Sequence, residues 1–201
     1  MKVGPLNGVL MIVLAGLLPA CTGIAGGVQP EEPQIPQLNR LAADALVRAR
    51  GVAPDAVLRQ LDIVWATGQE AFRFTDGDAT KEITVLAPAP GGRPDQWQVM
   101  TPELSPLADH HPGNGLNLQT LEVGPTTAAQ VFRRQRPDVA VLSMLLRLAD
   151  DGATLQWVVF GSVPGGEISG QVNALTGAFQ ALGPGLDHPA VLPLTASPRP
   201  T

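Results

Sequence analysis

Asp109, His110 and His111 form the one cluster of adjacent side chains in this sequence that could bind a metal ion. Two neighbouring imidazoles on a loop can share a transition metal, and the Asp109 carboxylate could add an oxygen ligand. The remaining histidine, His188, is distant in sequence, so the fold would have to bring it close. Exposed loop histidines without a metal are the simpler interpretation. We keep His110 and His111 as candidate metal ligands and predict no cofactor.

Other patterns associated with catalysis or ion binding are incomplete. The turn Asp76-Gly77-Asp78 begins like a calcium loop, but the further ligands, the central glycine and the closing glutamate are missing. A hairpin turn explains these residues better. The sequence has no G-x-S-x-G or H-E-x-x-H motif and no phosphate-binding glycine loop. We therefore predict that the protein is not an enzyme, with an unrecognised envelope enzyme as an alternative.

Cys21 is the only cysteine, and it ends an N-terminal segment with the layout of a secretory signal peptide. Lys2 gives a positive start, and an apolar run extends from Val9 to Leu18. This run is shorter than the roughly 20 residues needed to span a bilayer. Leu18, the small residue Ala20 and Cys21 together resemble the lipobox of bacterial lipoproteins.

The lipobox resemblance implies cleavage between Ala20 and Cys21 and a diacylglycerol on the Cys21 thioether. Two or more acyl chains hold a protein firmly on a membrane, whereas a single chain binds marginally. The expected location is the extracytoplasmic side of the cell envelope, on the outer membrane if the cell has one. Ordinary secretion with cleavage near Ala20 and a retained signal anchor are the alternatives.

The charge of the mature chain limits its partners. Loss of Lys2, the one charged residue of the signal segment, leaves a net charge of −6. Excess negative charge disfavours binding to nucleic acid or to anionic lipid surfaces. We therefore predict no nucleic-acid partner. The lipobox resemblance and the absence of catalytic motifs instead favour the membrane, through the lipid anchor, and an envelope protein or peptide as partners.

Hydrophobic patterning predicts two helices, each followed by short strands. Apolar residues recur with helical spacing from Leu38 to Ala49, and again from Ala128 to Phe132. Segments such as 61–66, 70–75 and 154–161 are typical of strands. The apolar segment 139–149 could be either a strand or a buried helix. Gly- and Pro-rich turns separate the segments.

Composition changes along the chain define the expected domains. Both helix-and-strand regions also share a Pro-Asp pair, Pro54-Asp55 and Pro137-Asp138, which indicates a repeated architecture. We predict an α+β protein with two small repeated units, each a helix packed on an antiparallel sheet. The boundaries are 1–20, the signal peptide; 21–37, Cys21 and a flexible tether; 38–102, the first α+β unit; 103–124, a linker; 125–183, the second α+β unit; and 184–201, a Pro-rich tail.

The second unit resembles a PepSY-like domain with a cystatin-like fold. The resemblance depends on a helix followed by antiparallel strands, and on a closing hairpin motif formed here by Asn173, Ala174, Thr176, Gly177 and Phe179. Gly177 is expected to supply the positive φ of that turn. The resemblance implies an extracytoplasmic module, often suggested to bind or restrain peptidases, and implies no catalysis.

Two further groups of residues have structural interpretations. Arg133, Arg134 and Arg136 lie at the predicted end of the second helix, where cations complement the helix dipole. The aromatic residues of the strand segments are expected to fill the core between helix and sheet. An apolar ligand groove is the alternative for this aromatic set, which comprises Trp65, Phe72, Phe74, Trp97, Trp157 and Phe160.

The sequence therefore predicts a membrane-anchored extracytoplasmic lipoprotein whose domain is a non-catalytic binding module for an envelope protein or peptide. A carrier of lipid or another apolar ligand is the runner-up.

Overall fold

A computed structural model describes residues 35–101 and 115–182 of the chain. Helix α1, Ile35–Arg50, buries Leu38, Ala45 and Ala49 along one stripe. It begins three residues before Leu38, inside the segment predicted as a tether. Helix α2, Pro125–Gln135, has Gly124 as its N-cap and Pro125 in its first turn. Proline suits this position because the first helical N–H groups have no partner within the helix.

Each of the two helices is followed along the chain by a group of four strands. The first group is β1, Val57–Val64; β2, Gln69–Thr75; β3, Glu82–Leu86; and β4, Gln98–Met100. The second group is β5, Ala140–Leu148; β6, Leu155–Val163; β7, Gly166–Asn173; and β8, Phe179–Ala181. The ambiguous segment 139–149 therefore forms a strand, β5. Short 3-10 helices cover Pro94–Gln96 and Leu118–Thr120.

The eight described strands join one antiparallel sheet in the order β4-β3-β2-β1-β5-β6-β7-β8. The prediction of two units, each with its own sheet, was wrong in this respect. The first strands of the two groups pair with each other, with Leu61 opposite Leu146 and Ile63 opposite Met144. This pairing satisfies two strand edges that would otherwise be open, and it makes one continuous apolar face. The α+β class is confirmed.

The two faces of the sheet differ in chemistry because side chains alternate along each strand. Both described helices pack on the apolar face, α1 against β2 and β3, and α2 against β6 and β7. Strand residues of this face that are at most 2% exposed are Leu61, Ile63, Phe72, Phe74, Ile83, Val85, Met144, Leu146, Trp157, Val159 and Val172.

The segment predicted as a linker, 103–124, is packed into the fold over its described part, 115–124. The backbone N–H of Leu116 donates to the Leu58 carbonyl at 2.8 Å. Leu118, Leu121 and Val123 are buried. The Trp157 indole N–H donates to the Val123 carbonyl at 2.8 Å, which satisfies the one polar atom of this fully buried side chain. Residues 115–124 are therefore packed into the fold against β1 and α1 of the first half and against Trp157 of the second half.

The turn chemistry agrees with the sequence-based expectation at two places. Gly177 has a φ of +73°. The Asn173 side-chain oxygen accepts hydrogen bonds from the backbone N–H groups of Leu175 and Thr176, each at 2.9 Å. Asp76 accepts from the backbone of Thr80 at 2.6 Å and of Lys81 at 3.0 Å, which makes 76–81 a hairpin turn.

The face of the sheet opposite the helices carries a charged cluster on β1, β2 and β3. Arg73 pairs with the carboxylates of Asp62 and Glu82, and its distance to the Glu82 oxygen is 3.2 Å. The Arg73 and Asp62 side chains are only 23% and 21% exposed. Burial alone would lower the pKa of Arg73, but the charges of Asp62 and Glu82 raise it overall. The guanidinium therefore stays charged and holds three strands together.

Replacing Arg73 with methionine leaves two partly buried carboxylates without their cation. We expect the free energy of unfolding to fall by about 3 kcal/mol, measured by urea denaturation at pH 7. Arg93→Met is the matched control, because Arg93 pairs with Asp95 while its side chain is 76% exposed. That variant should lose less than about 0.5 kcal/mol. Equal losses in the two variants would show that the Arg73 cluster has no special structural role.

Candidate binding cleft

The site residues predicted from the sequence lie outside the described residues. This applies to Ala20 and Cys21 of the lipobox and to the histidines His110, His111 and His188. Their roles stay predictions. Within residues 35–101 and 115–182, no group of three or more His, Cys, Asp or Glu side chains is arranged to hold a metal ion. The same ranges contain no helix that is both long and apolar enough to cross a membrane.

The aromatic residues divide into a core set and a rim set. Phe72, Phe74 and Trp157 are fully buried, as predicted. Phe160 is also buried, but it packs with Leu145 and Val158 in a second apolar cluster. The pairing of Phe160 with Ser143 and of Val158 with Leu145 places this cluster on the face opposite the helices.

Trp65 and Trp97 form the rim set, and each contacts an arginine from a helix. The Arg133 guanidinium lies 5.5 Å from the Trp65 ring centre, and the Arg48 guanidinium lies 4.4 Å from that of Trp97. Arg133, predicted to cap a helix end, is thus also a cation–π partner. These contacts fix the loops that carry the two tryptophans against α2 and α1.

A cleft of about 280 Å³ opens between α1, the start of β2 and the loop before β4. Helix α1 contributes one stripe to its wall, made of Gln37, Leu41 and Asp44. Glu70 lines it from β2. The opposite wall is apolar and rich in backbone, formed by Pro88, Ala89, Pro90, Gly91, Gly92, Pro94 and Trp97. This is the cleft that we treat as the candidate functional site.

Glu70 has the strongest electrostatic perturbation in this cleft. Its position on β2 is in phase with Phe72 and Phe74, so the strand directs it to the apolar face. The residue is only 4% exposed. Burial raises the pKa of its carboxyl to about 7, and no hydrogen bond or ion pair from the described residues offsets this shift. Near neutral pH the cleft therefore holds a carboxyl group that changes charge and has no partner among residues 35–101 and 115–182.

The loop wall of the cleft is held by local contacts. Gly91 has a φ of +78°, a conformation that favours glycine. A Cβ on Gly92 would lie 2.8 Å from the Ala89 carbonyl oxygen, so the tight turn requires glycine there as well. The Arg93 N–H donates to the Gln96 side-chain oxygen at 2.9 Å. Opposite, Arg48 donates to the Asp44 carbonyl at 2.9 Å and thereby holds its guanidinium over Trp97.

Glu70 was not identified from the sequence, although one signal was present. An acidic residue two positions before Phe72 and four before Phe74 lies on the apolar face of the same strand. A charge on that face is either paired or functional, because burying an isolated charge is costly. Asp44 and Gln37 could not be assigned to the same site from sequence, since their approach to Glu70 depends on how α1 packs on β2.

Comparisons with known proteins show the fold but no family. No protein-family model matches the chain, and no curated protein matches it. One solved structure, "Crystal structure of a putative lipoprotein (CD1622) from Clostridium difficile 630", is similar in fold, with a TM-score of 0.52. The sequences are 14% identical, and the alignment covers 69% of this chain and 89% of that chain. At this identity the similarity supports the architecture alone.

The Glu70→Gln variant tests whether this carboxyl is buried without a partner. The folded protein keeps the Glu70 proton up to about pH 7, whereas the ordinary pKa is 4.5. Folding therefore loses stability as the pH rises through this window. We expect Glu70→Gln to be more stable than the parent at pH 8, by up to about 3 kcal/mol, and equal to it near pH 4.5.

Urea denaturation at the two pH values measures this difference. Glu167→Gln is the matched control, because Glu167 is exposed on β7 and its replacement should leave the pH dependence unchanged. Loss of stability in Glu70→Gln at pH 8 would contradict the description, since it would mean that the ionised carboxylate has a stabilising partner.

Proposed function

We propose that this protein is a lipid-anchored lipoprotein of the bacterial cell envelope whose α+β domain binds a protein or peptide partner without catalysis. The anchor is Cys21, and the binding site is the cleft beside α1. The lipobox at residues 18–21 supports the anchor. The similar protein from Clostridium difficile is itself described as a lipoprotein, which agrees with the proposal.

The observation that carries the binding role is the buried Glu70 carboxyl in an open cleft. Folding largely desolvates this group, and the described part of the chain supplies no partner for it, so a bound ligand can supply one. A residue kept in such an environment at a cleft is a candidate for function. The Pro- and Gly-rich wall adds backbone groups and apolar surface that an extended polypeptide can contact.

We also infer that the two halves are copies of one α+β unit of the PepSY-like type. Each half has one helix followed by four consecutive strands, and the halves meet through their first strands. The Asn173–Gly177 turn closes the second half as the resemblance implies. In this proposal β1 of the first unit pairs with β5 of the second unit, so that the two units form one sheet. The cleft belongs to the first unit.

A carrier of lipid or another apolar ligand is less well supported. That function requires an apolar cavity between helix and sheet, whereas Leu38, Ala45 and Ala49 of α1 pack there with 0% exposure. The cleft beside α1 contains Glu70 and Asp44, and apolar ligands do not compensate carboxylates.

The anchor is tested by the Cys21→Ser variant and cell fractionation. Without the thiol no acyl chain can be attached, so the variant should leave the membrane fraction and lose the mass of the lipid. Retention in the membrane, with a mass that differs from the parent only by the substitution, would contradict lipidation.

Partner binding is tested by photo-crosslinking in cells that make the lipoprotein. Ala89 lies in the cleft wall and is exposed, so p-benzoylphenylalanine at Ala89 should give an adduct with an envelope protein. Ala153, exposed in the turn between β5 and β6, is the matched position outside the cleft. The Ala89 adduct should disappear when Glu70→Gln is added. Identical adducts at both positions, or none at Ala89, would contradict a binding role for the cleft.

A further inference from the structure

We propose that the cleft binds an alkylammonium group, such as a lysine side chain or a small free amine, by pairing it with the Glu70 carboxylate. This inference rests on the proposed binding function and names the chemistry of its ligand. It follows from the charges of the cleft, from its size and from the apolar surface that leads to Glu70.

The charges that face the cleft favour a cation. The residues of its lining that the structure describes include two carboxyl groups, Glu70 from β2 and Asp44 from α1, and no lysine, arginine or histidine. The Arg48 guanidinium, from the same helix as Asp44, lies over the Trp97 ring and donates to the Asp44 backbone carbonyl. Glu70 has no ion pair with it. A cation from outside the fold is therefore the missing partner.

The size and walls of the cleft favour an ammonium on an apolar stem. A volume of about 280 Å³ is at the lower end of ligand pockets, which span roughly 300–1,000 Å³, and suits one side chain rather than a large ligand. Leu41, Pro88 and Trp97 can contact methylene groups while the ammonium reaches Glu70. A planar guanidinium is broader than an ammonium, which is a compact point charge, so the ammonium fits this small cleft better.

Burial strengthens the pairing between the ammonium and the Glu70 carboxylate. An ammonium entering the cleft meets a carboxylate that water solvates poorly, so the attraction between the charges is stronger than at the surface. The ligand can bind only as Glu70 releases its proton, so binding should tighten as the pH rises from 6 to 8, around the pKa of about 7.

The test is calorimetric titration of the full lipidated chain in non-ionic detergent. The probes are acetyl-Ala-Lys-Ala-amide and the matched uncharged peptide with norleucine in place of lysine. We expect the lysine peptide to bind at least tenfold more tightly than the norleucine peptide at pH 8, and at least fivefold more tightly at pH 8 than at pH 6. Glu70→Gln should weaken binding of the lysine peptide at least tenfold, whereas Glu167→Gln should leave this affinity unchanged.

Two further probes are 1,5-diaminopentane, which tests for a free amine, and the matched peptide with arginine in place of lysine, which tests the type of cation. Binding of 1,5-diaminopentane but not of the peptide would support the ammonium chemistry and assign it to a free amine. Tighter binding of the arginine peptide than of the lysine peptide would overturn the proposal. So would equal binding of the lysine and norleucine peptides, or lysine binding that survives Glu70→Gln.

The outcome can be separated from that of the proposed function. If an Ala89 crosslink captures a partner while no amine probe binds, the inferred ligand chemistry is wrong and the binding role stands. If the crosslink and all probes fail, both are wrong.

Discussion

The pairing of β1 with β5 is the contact on which the rest of the structure depends. Each half has only about 65–70 residues, and a unit of that size buries roughly 60% of its chain surface, which gives marginal stability. Placing Leu61 opposite Leu146 and Ile63 opposite Met144 merges two small apolar faces into one. Both helices then share a single core, and two unpaired strand edges disappear from the interior of the sheet.

This shared core allows the first half to hold an unfavourable group. Helix α1 packs on β2 and β3 beside Glu70, whose carboxyl is largely desolvated and gains no partner from the described residues. Such a group costs stability at neutral pH, and the remaining apolar contacts must offset that cost. The charged cluster of Arg73 with Asp62 and Glu82, on the other face of the same strands, shows the contrasting solution. There the buried charges are paired, and they hold the sheet together.

Much of the secondary structure was predictable because it depends on local patterns. The stripe beginning at Leu38 and the alternation around Phe72 and Phe74 identified α1 and β2. The segment that became β5 was ambiguous, because a continuous apolar run suits a buried strand and a buried helix equally. Its strand form is determined by partners on both sides, β1 and β6. The β1–β5 pairing could not be predicted, since nothing within either strand specifies a partner so distant in sequence.

The candidate cleft was less predictable than the fold. Asp44 and Pro88 come together only after α1 and the loop before β4 have packed around β2, so sequence spacing gives no direct indication of the site. Glu70 alone carried a readable signal, its phase with the buried phenylalanines.

The most direct test of an unpartnered carboxyl in the cleft is a pH titration of Glu70. The titration is monitored through the carbon-13 chemical shift of the Glu70 side-chain carboxyl in the full chain. We expect a titration midpoint near pH 7 in the free protein. A midpoint near the ordinary value of 4.5 would contradict this, because the carboxyl would then be solvated or already paired, and the cleft would have no unmet charge to offer a ligand.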